Sequence, residues 1–212
     1  AELDESDGSL VNTRPTHAVL NNLEIDHPHH YTSWEKLEST MLRFVLDNPR
    51  LQTLHLNLAD AGARRLHASL LKQGFAASTF GIEEPEATLW ARDLKPVRYG
   101  DGRIGGTMVV MRGEEEVGML RLSIPGRYNL SNVLGALSLA MDLGVPFETA
   151  AGAMETWQGL ENRFTVVEAR DKLVVKDYIS HPTGIRRVLS GAAHFEKSPV
   201  VVVFKPYRFT MI

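Results

Sequence analysis
The amino-acid sequence predicts an α/β fold, and three patterns predict it. Strand-like and helix-like runs alternate through residues 17–74, β-rich runs follow between residues 88 and 122, and strands with a helix resume after Leu160. The fold expected is a sheet with flanking helices plus a small β-meander, leading into the start of a second α/β unit.

Taken in order, residues 17–21 form a β-like run that opens onto the polar stretch 22–30. Thr32-Ser33-Trp34-Glu35 matches a capping box, and Leu37, Met41, Phe44 and Val45 follow at helical spacing, so a helix runs to about Asn48-Pro49. Residues 51–56 alternate as a strand does, and residues 61–73 form an amphipathic helix closed by Gly74. Residues 88–91, 107–111 and 117–122 read as strands of a meander, joined by glycine-rich and acidic turns. An Ala- and Leu-rich helix over 131–143 stops at Gly144-Val145-Pro146, and another covers 147–157. Residues 164–167 and 173–177 pair around the turn 169–172, and 185–193 reads as a helix. The apolar run 199–204 reads as a fully buried strand of a parallel sheet. The acidic start, and the end just after a buried strand, lead to the expectation that the chain is a segment of a longer protein.

Composition narrows the function classes. With 43% hydrophobic residues among 212, the chain can bury a core, and a formal charge of −3 supplies no basic field for nucleic acid or an acidic membrane surface. The absence of cysteine excludes disulfides, thiolate zinc sites and cysteine nucleophiles, which fits a cytoplasmic protein. No apolar run approaches the roughly 20 residues of a membrane span, and the start lacks a signal peptide's basic and apolar regions.

Several constellations carry chemistry. Gly100-Asp101-Gly102-Arg103-Ile104-Gly105 satisfies G-x-G-x-x-G, but the β-branched run after it replaces the helix a dinucleotide fingerprint needs, so it reads as a hairpin turn. No G-x-x-x-x-G-K-[ST] phosphate loop is present. Glu2-Leu3-Asp4-Glu5-Ser6-Asp7 and Glu24-Ile25-Asp26-His27-Pro28-His29-His30 are the densest ligand clusters, and the second follows a strand, where open α/β sheets place ligands. Carboxylate and imidazole suit Mg²⁺ or Mn²⁺ carrying a nucleotide; the alternative is a solvated acidic loop with surface histidines. Pro28 argues against aligned zinc ligands. Asn129 and Asn132, three apart at a helix start, share a face that could read an adenine edge, unless Asn129 caps the helix. Ser180 and His181 are adjacent, which is not the geometry of a Ser–His nucleophile.

Together these clusters resemble the Mur ligases, the ATP-dependent amide-bond enzymes of peptidoglycan precursor synthesis. Glu2-Leu3-Asp4-Glu5-Ser6-Asp7 is similar to the family's E-A-D-E-S-D, Asn22-Leu23-Glu24-Ile25-Asp26-His27 to T-N-x-E-x-D-H, and Gly126-Arg127-Tyr128-Asn129 with Asn132 to G-R-H-N-x-x-N. Asn162-Arg163-Phe164, Asp177-Tyr178 with His181-Pro182-Thr183, and Phe204 with Pro206 and Arg208-Phe209-Thr210 follow in the family's order. The resemblance implies residues 1–160 as a partial central ATPase domain and 161–212 as the start of a Rossmann-like C-terminal domain. The UDP-sugar-binding domain and phosphate loop would precede residue 1. The 25 positions from Glu2 to His27 fit the branch that joins L-alanine to UDP-N-acetylmuramate, whereas Asn21-Asn22-Leu23-Glu24 and Thr210-Met211 lean towards the murein-tripeptide recycling branch.

What the resemblance implies chemically is a cytoplasmic ligase in which ATP converts a carboxylate to an acyl phosphate that an amine then attacks. Glu2 and His27 would hold Mg²⁺, Asn129 and Asn132 would face adenine, Arg163 and Asp177 would contact phosphate and ribose, and Tyr178, His181 and Arg208 would meet the substrate. Without a phosphate loop the segment by itself is expected to be inactive. Ser180 and Met211 stand where the family carries a histidine and an arginine beside the amino acid, and His29 stands in place of an acid. Those changes motivate a second reading, a divergent paralogue that binds nucleotide without ligation.

Overall fold
The structure, a computed structural model, describes residues 1–26, 29–100, 103–170, 172–179, 181–193 and 199–205. A six-stranded sheet in the order β1-β2-β3-β4-β5-β6 is built from His17–Leu20, Thr53–Asn57, Ser78–Ile82, Leu89–Arg98, Ile104–Arg112 and Glu115–Leu122. β1 to β4 are mutually parallel and β4 to β6 antiparallel, so the meander continues the parallel sheet rather than standing apart from it.

Helices cover both faces, as a sheet buried on two sides requires. On β2 the side chains alternate: Leu54 and Leu56 join a core with Leu37, Met41, Phe44 and Val45 of α1 (Trp34–Leu46) and Leu66 and Leu70 of α2 (Ala61–Lys72). His55 and Asn57 point the other way, where Phe80, Ile82, Met108, Val110 and Leu120 pack with Leu134 and Leu137 of α3 (Arg127–Asp142) and Phe147 of α4 (Phe147–Thr156). This period of two divides one sheet between two cores.

Three boundaries differ from the sequence reading. The cap of α1 is Ser33, whose hydroxyl accepts from Lys36 N, so Glu35 falls one position short of closing a capping box around it. α3 begins at Arg127 with Gly126 as N-cap, a turn earlier than the apolar pattern indicated. β3 is an unexpected strand whose Ser, Thr and Gly content hides a mostly buried segment.

The link from β3 to β4 spans only residues 83–88, short for a parallel connection. The pairing lasts three residues, Phe80↔Leu89 to Ile82↔Ala91, so the chain has to retreat only about 7 Å along the strand. Thr79 and Thr88 staple the link, each hydroxyl accepting from the other's backbone N–H at 2.9 and 3.3 Å.

Beyond α4, β7 (Thr165–Ala169) and β8 (Lys172–Lys176) form a separate antiparallel pair, followed by α5 (Pro182–Ala193). The run 199–204 corrects the sequence reading: the described residues there form no strand, and Val201 and Val203 are 87% and 94% exposed. An apolar run is buried only where a sheet receives it, and the β7–β8 pair does not extend to it.

Candidate functional site
Strands β1, β2 and β3 end side by side, and a cavity of about 550 Å³ opens at those carboxyl ends. Its floor is Asn21, Asn22, Asn57 and Ala59, with Ile82 and Glu83 beside them. The β4–β5 hairpin contributes Lys95, Pro96, Gly105 and Gly106, so Gly105, which ends the 100–105 motif, and Gly106 after it lie in antiparallel β-structure, as the β-branched sequel required. The first turns of α3 supply Arg127, Tyr128, Ser131 and Asn132, and α5 closes the far side with Arg186, Arg187, Ser190 and Gly191.

The charge is one-sided. Lys95, Arg127, Arg186 and Arg187 line the cavity, with Glu83 as the acid among the lining residues. Arg127 donates to Glu83 at 2.8 Å, and Glu83 holds a left-handed backbone (φ 61°) that turns the chain out of β3. α3 presents its N-terminus here with no side-chain cap and no acid in its first turn, so its free N–H groups add positive potential. Helix N-terminus, amides and cations together form a donor set for a polyanion such as a nucleoside triphosphate.

Asn57 organises the floor. Its amide donates to Asn21 O at 2.9 Å and Ser131 Oγ at 3.1 Å, while its carbonyl oxygen accepts from Ala59 N at 3.1 Å. β1, β2 and α3 therefore meet at one side chain.

Asn132 lines the cavity and is exposed to it. Asn129 is buried and donates to Pro125 O at 2.6 Å, which ties the loop before α3 to its first turn. Asp177 is engaged twice at the carboxyl end of β8, accepting from Phe164 N at 2.9 Å and from the Tyr128 hydroxyl at 3.1 Å. Burial, and then the Asp177 carboxylate, pushes the Tyr128 hydroxyl well above the usual phenol range, so it stays a donor. Arg163 donates to Tyr178 O at 2.9 Å, and Tyr178 is 69% exposed. His181 stands between two acids, Nδ1 3.9 Å from Glu24 and Nε2 3.7 Å from Asp26.

Glu2 is exposed, and His27, Arg208, Ser180 and Met211 lie outside the described residues. Among the described residues no three His, Asp or Glu side chains converge on a metal position. The described residues do not by themselves build a magnesium site.

Sequence reasoning passed over Asn57, Asp60, Lys95, Arg186 and Arg187, and it gave Arg127 a place in a motif but no role. Asn57-Leu58-Ala59-Asp60 sits between a strand and a helix, a position that could have been singled out. Lys95 has no comparable signal, because it reaches the cavity only through the folding of the β4–β5 hairpin.

The protein is similar to known ones along its whole length. Residues 2–140 match the Mur ligase middle domain family. UDP-N-acetylmuramate–L-alanine ligase of Pelotomaculum thermopropionicum is 33% identical over 211 residues, covering 99% of this chain and 44% of the relative. The enzyme of the same name from Desulfosudis oleivorans is 34% identical over 212 residues, with the same coverage of each chain. The chain thus spans less than half the length of the curated relatives it matches. In fold it superimposes on the crystal structure of UDP-N-acetylmuramate–alanine ligase from Thermotoga maritima with a TM-score of 0.75 at 22% identity, over 92% of this chain and 42% of that one. A murein peptide ligase from Psychrobacter arcticus gives 0.56, also at 22% identity, over 87% of this chain and 36% of that one. With this family match, an α/β sheet flanked by helices and a cavity at the carboxyl ends of its parallel strands, the chain belongs to the Mur ligase family.

Proposed function
We propose that this chain is the ATP-binding part of a ligase that joins an amino acid, L-alanine by preference, to UDP-N-acetylmuramate in peptidoglycan precursor synthesis. The observation that carries the reading is the convergence of Asn132, the uncapped start of α3 and four cations on one cavity. Residues 1–160 act as the central domain and 161–212 begin the C-terminal one.

In this reading the carboxylate of UDP-N-acetylmuramate attacks the γ-phosphorus of ATP, ADP leaves, and the amino acid's amine displaces phosphate from the acyl phosphate to form the amide. Lys95, Arg127, Arg186 and Arg187 offset phosphate charge, and Asn132 faces adenine while Asn129 holds the turn that aims it. Asp177 and Arg163 meet ribose and phosphate from the β7–β8 side, with Tyr128 fixing the Asp177 carboxylate. Tyr178, His181 and Arg208 would contact substrate, and Glu2 with His27 would hold Mg²⁺, which would neutralise charge on the phosphates.

The test uses the longest natural polypeptide that contains this chain, with ATP, Mg²⁺ and UDP-N-acetylmuramate. Phosphate release is compared for L-alanine, other amino acids and the murein tripeptide. Release that depends on L-alanine supports the reading, and dependence on the tripeptide moves it to the recycling branch. Silence with every acceptor, from a protein that still binds ATP in a calorimeter, makes it a nucleotide-binding paralogue. Asn132→Ala is expected to weaken ATP binding about tenfold, the loss of one or two hydrogen bonds.

A further inference from the structure
Asp60 lies outside the cavity lining, yet three parts of the molecule meet on its carboxylate. It is 6% exposed. Oδ1 accepts from Ala63 N at 2.9 Å, capping α2, and from Leu23 N at 3.0 Å in the segment that leaves β1. Oδ2 faces Arg187 Nη2 of α5 at 4.0 Å, and Arg187 itself lines the cavity.

The same segment receives the start of α5 a second time. Glu24 accepts from the Thr183 hydroxyl at 2.7 Å, and His181 lies between Glu24 and Asp26. Thr183 and Arg187 are four residues apart and so share one face of α5. Gly62 lets α2 press directly against Leu23: a Cβ there would stand 1.9 Å from the Leu23 carbonyl oxygen. Segment, α2 cap and Asp60 are therefore tied together, and α5 docks on them through polar groups at these points.

We propose that Asp60 is a positioning residue, one that holds α5 over the cavity by pairing with Arg187 while it pins the segment after β1. The proposal rests on the nucleotide reading of the cavity only for its functional consequence. The structural alternative is that Asp60 serves as an N-cap and nothing more.

Asp60→Asn separates the two, because asparagine caps a helix as well as aspartate does and keeps an acceptor for Leu23, but removes the charge facing Arg187. In the longest natural polypeptide, hydrogen exchange over 182–193 is expected to quicken about fivefold in Asp60→Asn and Arg187→Ala, but not in Arg187→Lys. The double variant Asp60→Asn/Arg187→Ala should exchange no faster than either single one. Exchange over 61–72 should stay unchanged in Asp60→Asn, and its ATP affinity should fall by a factor of about three to five. Unchanged exchange in α5, additive effects, or loss of protection in α2 alone would overturn the proposal. If α5 loosens as described in a protein that binds no ATP, the positioning role stands and the nucleotide reading falls; ATP binding with α5 exchange unaltered gives the reverse.

Discussion

His55 shows how far a side chain's meaning depends on what surrounds it. It is fully buried on β2, its Nδ1 2.8 Å from Ser138 Oγ and its Nε2 3.3 Å from Asp142 Oδ2 without hydrogen-bonding geometry. Ser, His and Asp thus stand in a row, but Ser138 is 3% exposed, so no substrate reaches it and the group is part of the core. Burial, outweighing Asp142, holds the imidazole below its ordinary value of 6.5. The folded form then keeps His55 neutral while the unfolded chain takes up a proton as pH falls through that ordinary value. Folding stability is therefore fully present above it and declines as pH drops towards the depressed folded value. Urea denaturation at about pH 7.5 and about pH 5.5 should show this decline, and His55→Gln should lose that part of it. An equal decline in the variant would remove His55 as its source. The acidic and histidine clusters and Asn132 were readable as ligand candidates because ligand chemistry is visible in residue type. The position of Asn57 between a strand and a helix is visible in the sequence, but its organising role is not, since that comes from Asn21 and Ser131, 36 and 74 positions away, meeting on one amide.

The elements test how local patterns survive tertiary contact. The α1 and α2 helices appear nearly where their apolar spacing and caps place them, with Ser33 and Asp60 accepting from Lys36 N and Ala63 N. Ser33→Ala should remove about 1 kcal/mol of stability, read as a lower urea midpoint with an unchanged slope. Gly62→Ala, favourable by helix propensity alone, should instead destabilise by about 2 kcal/mol or more, because the new methyl meets backbone that cannot yield. A stabilised Gly62→Ala protein would show that α2 does not pack on the segment after β1. β3 escaped the sequence reading for a related reason: Ser78-Thr79-Phe80-Gly81-Ile82 has little strand character until Thr88 and β4 complete it. The start of α3 is hidden from the apolar pattern because Arg127 and Tyr128 of its first turn face the cavity and Asp177 rather than a core.

The whole molecule pairs a sheet covered on both faces with a smaller β7–β8–α5 layer, and these meet over the cavity through Tyr128–Asp177, Thr183–Glu24 and Arg187–Asp60. No helix of the described residues is long and apolar enough to cross a membrane. The exposed run Val200-Val201-Val202-Val203-Phe204 is β-prone, uncharged and unpaired among the described residues. The chain by itself is expected to self-associate through it, and Val201→Lys with Val203→Lys should lower the sedimenting mass towards that of one copy. Association unaffected by the lysines would point to another surface. The α/β class, the meander and most helices followed from the sequence alone, because period, caps and turn residues act over a few neighbouring positions. The motif clusters were equally legible, because a carboxylate or an amide declares its chemistry wherever it stands. Only the tertiary structure decided that Lys95, Arg127, Arg186 and Arg187 face one cavity and that Asn129 turns inward while Asn132 turns out. Each of these depends on which distant surface the fold brings alongside, and burial and charge act through space rather than along the chain.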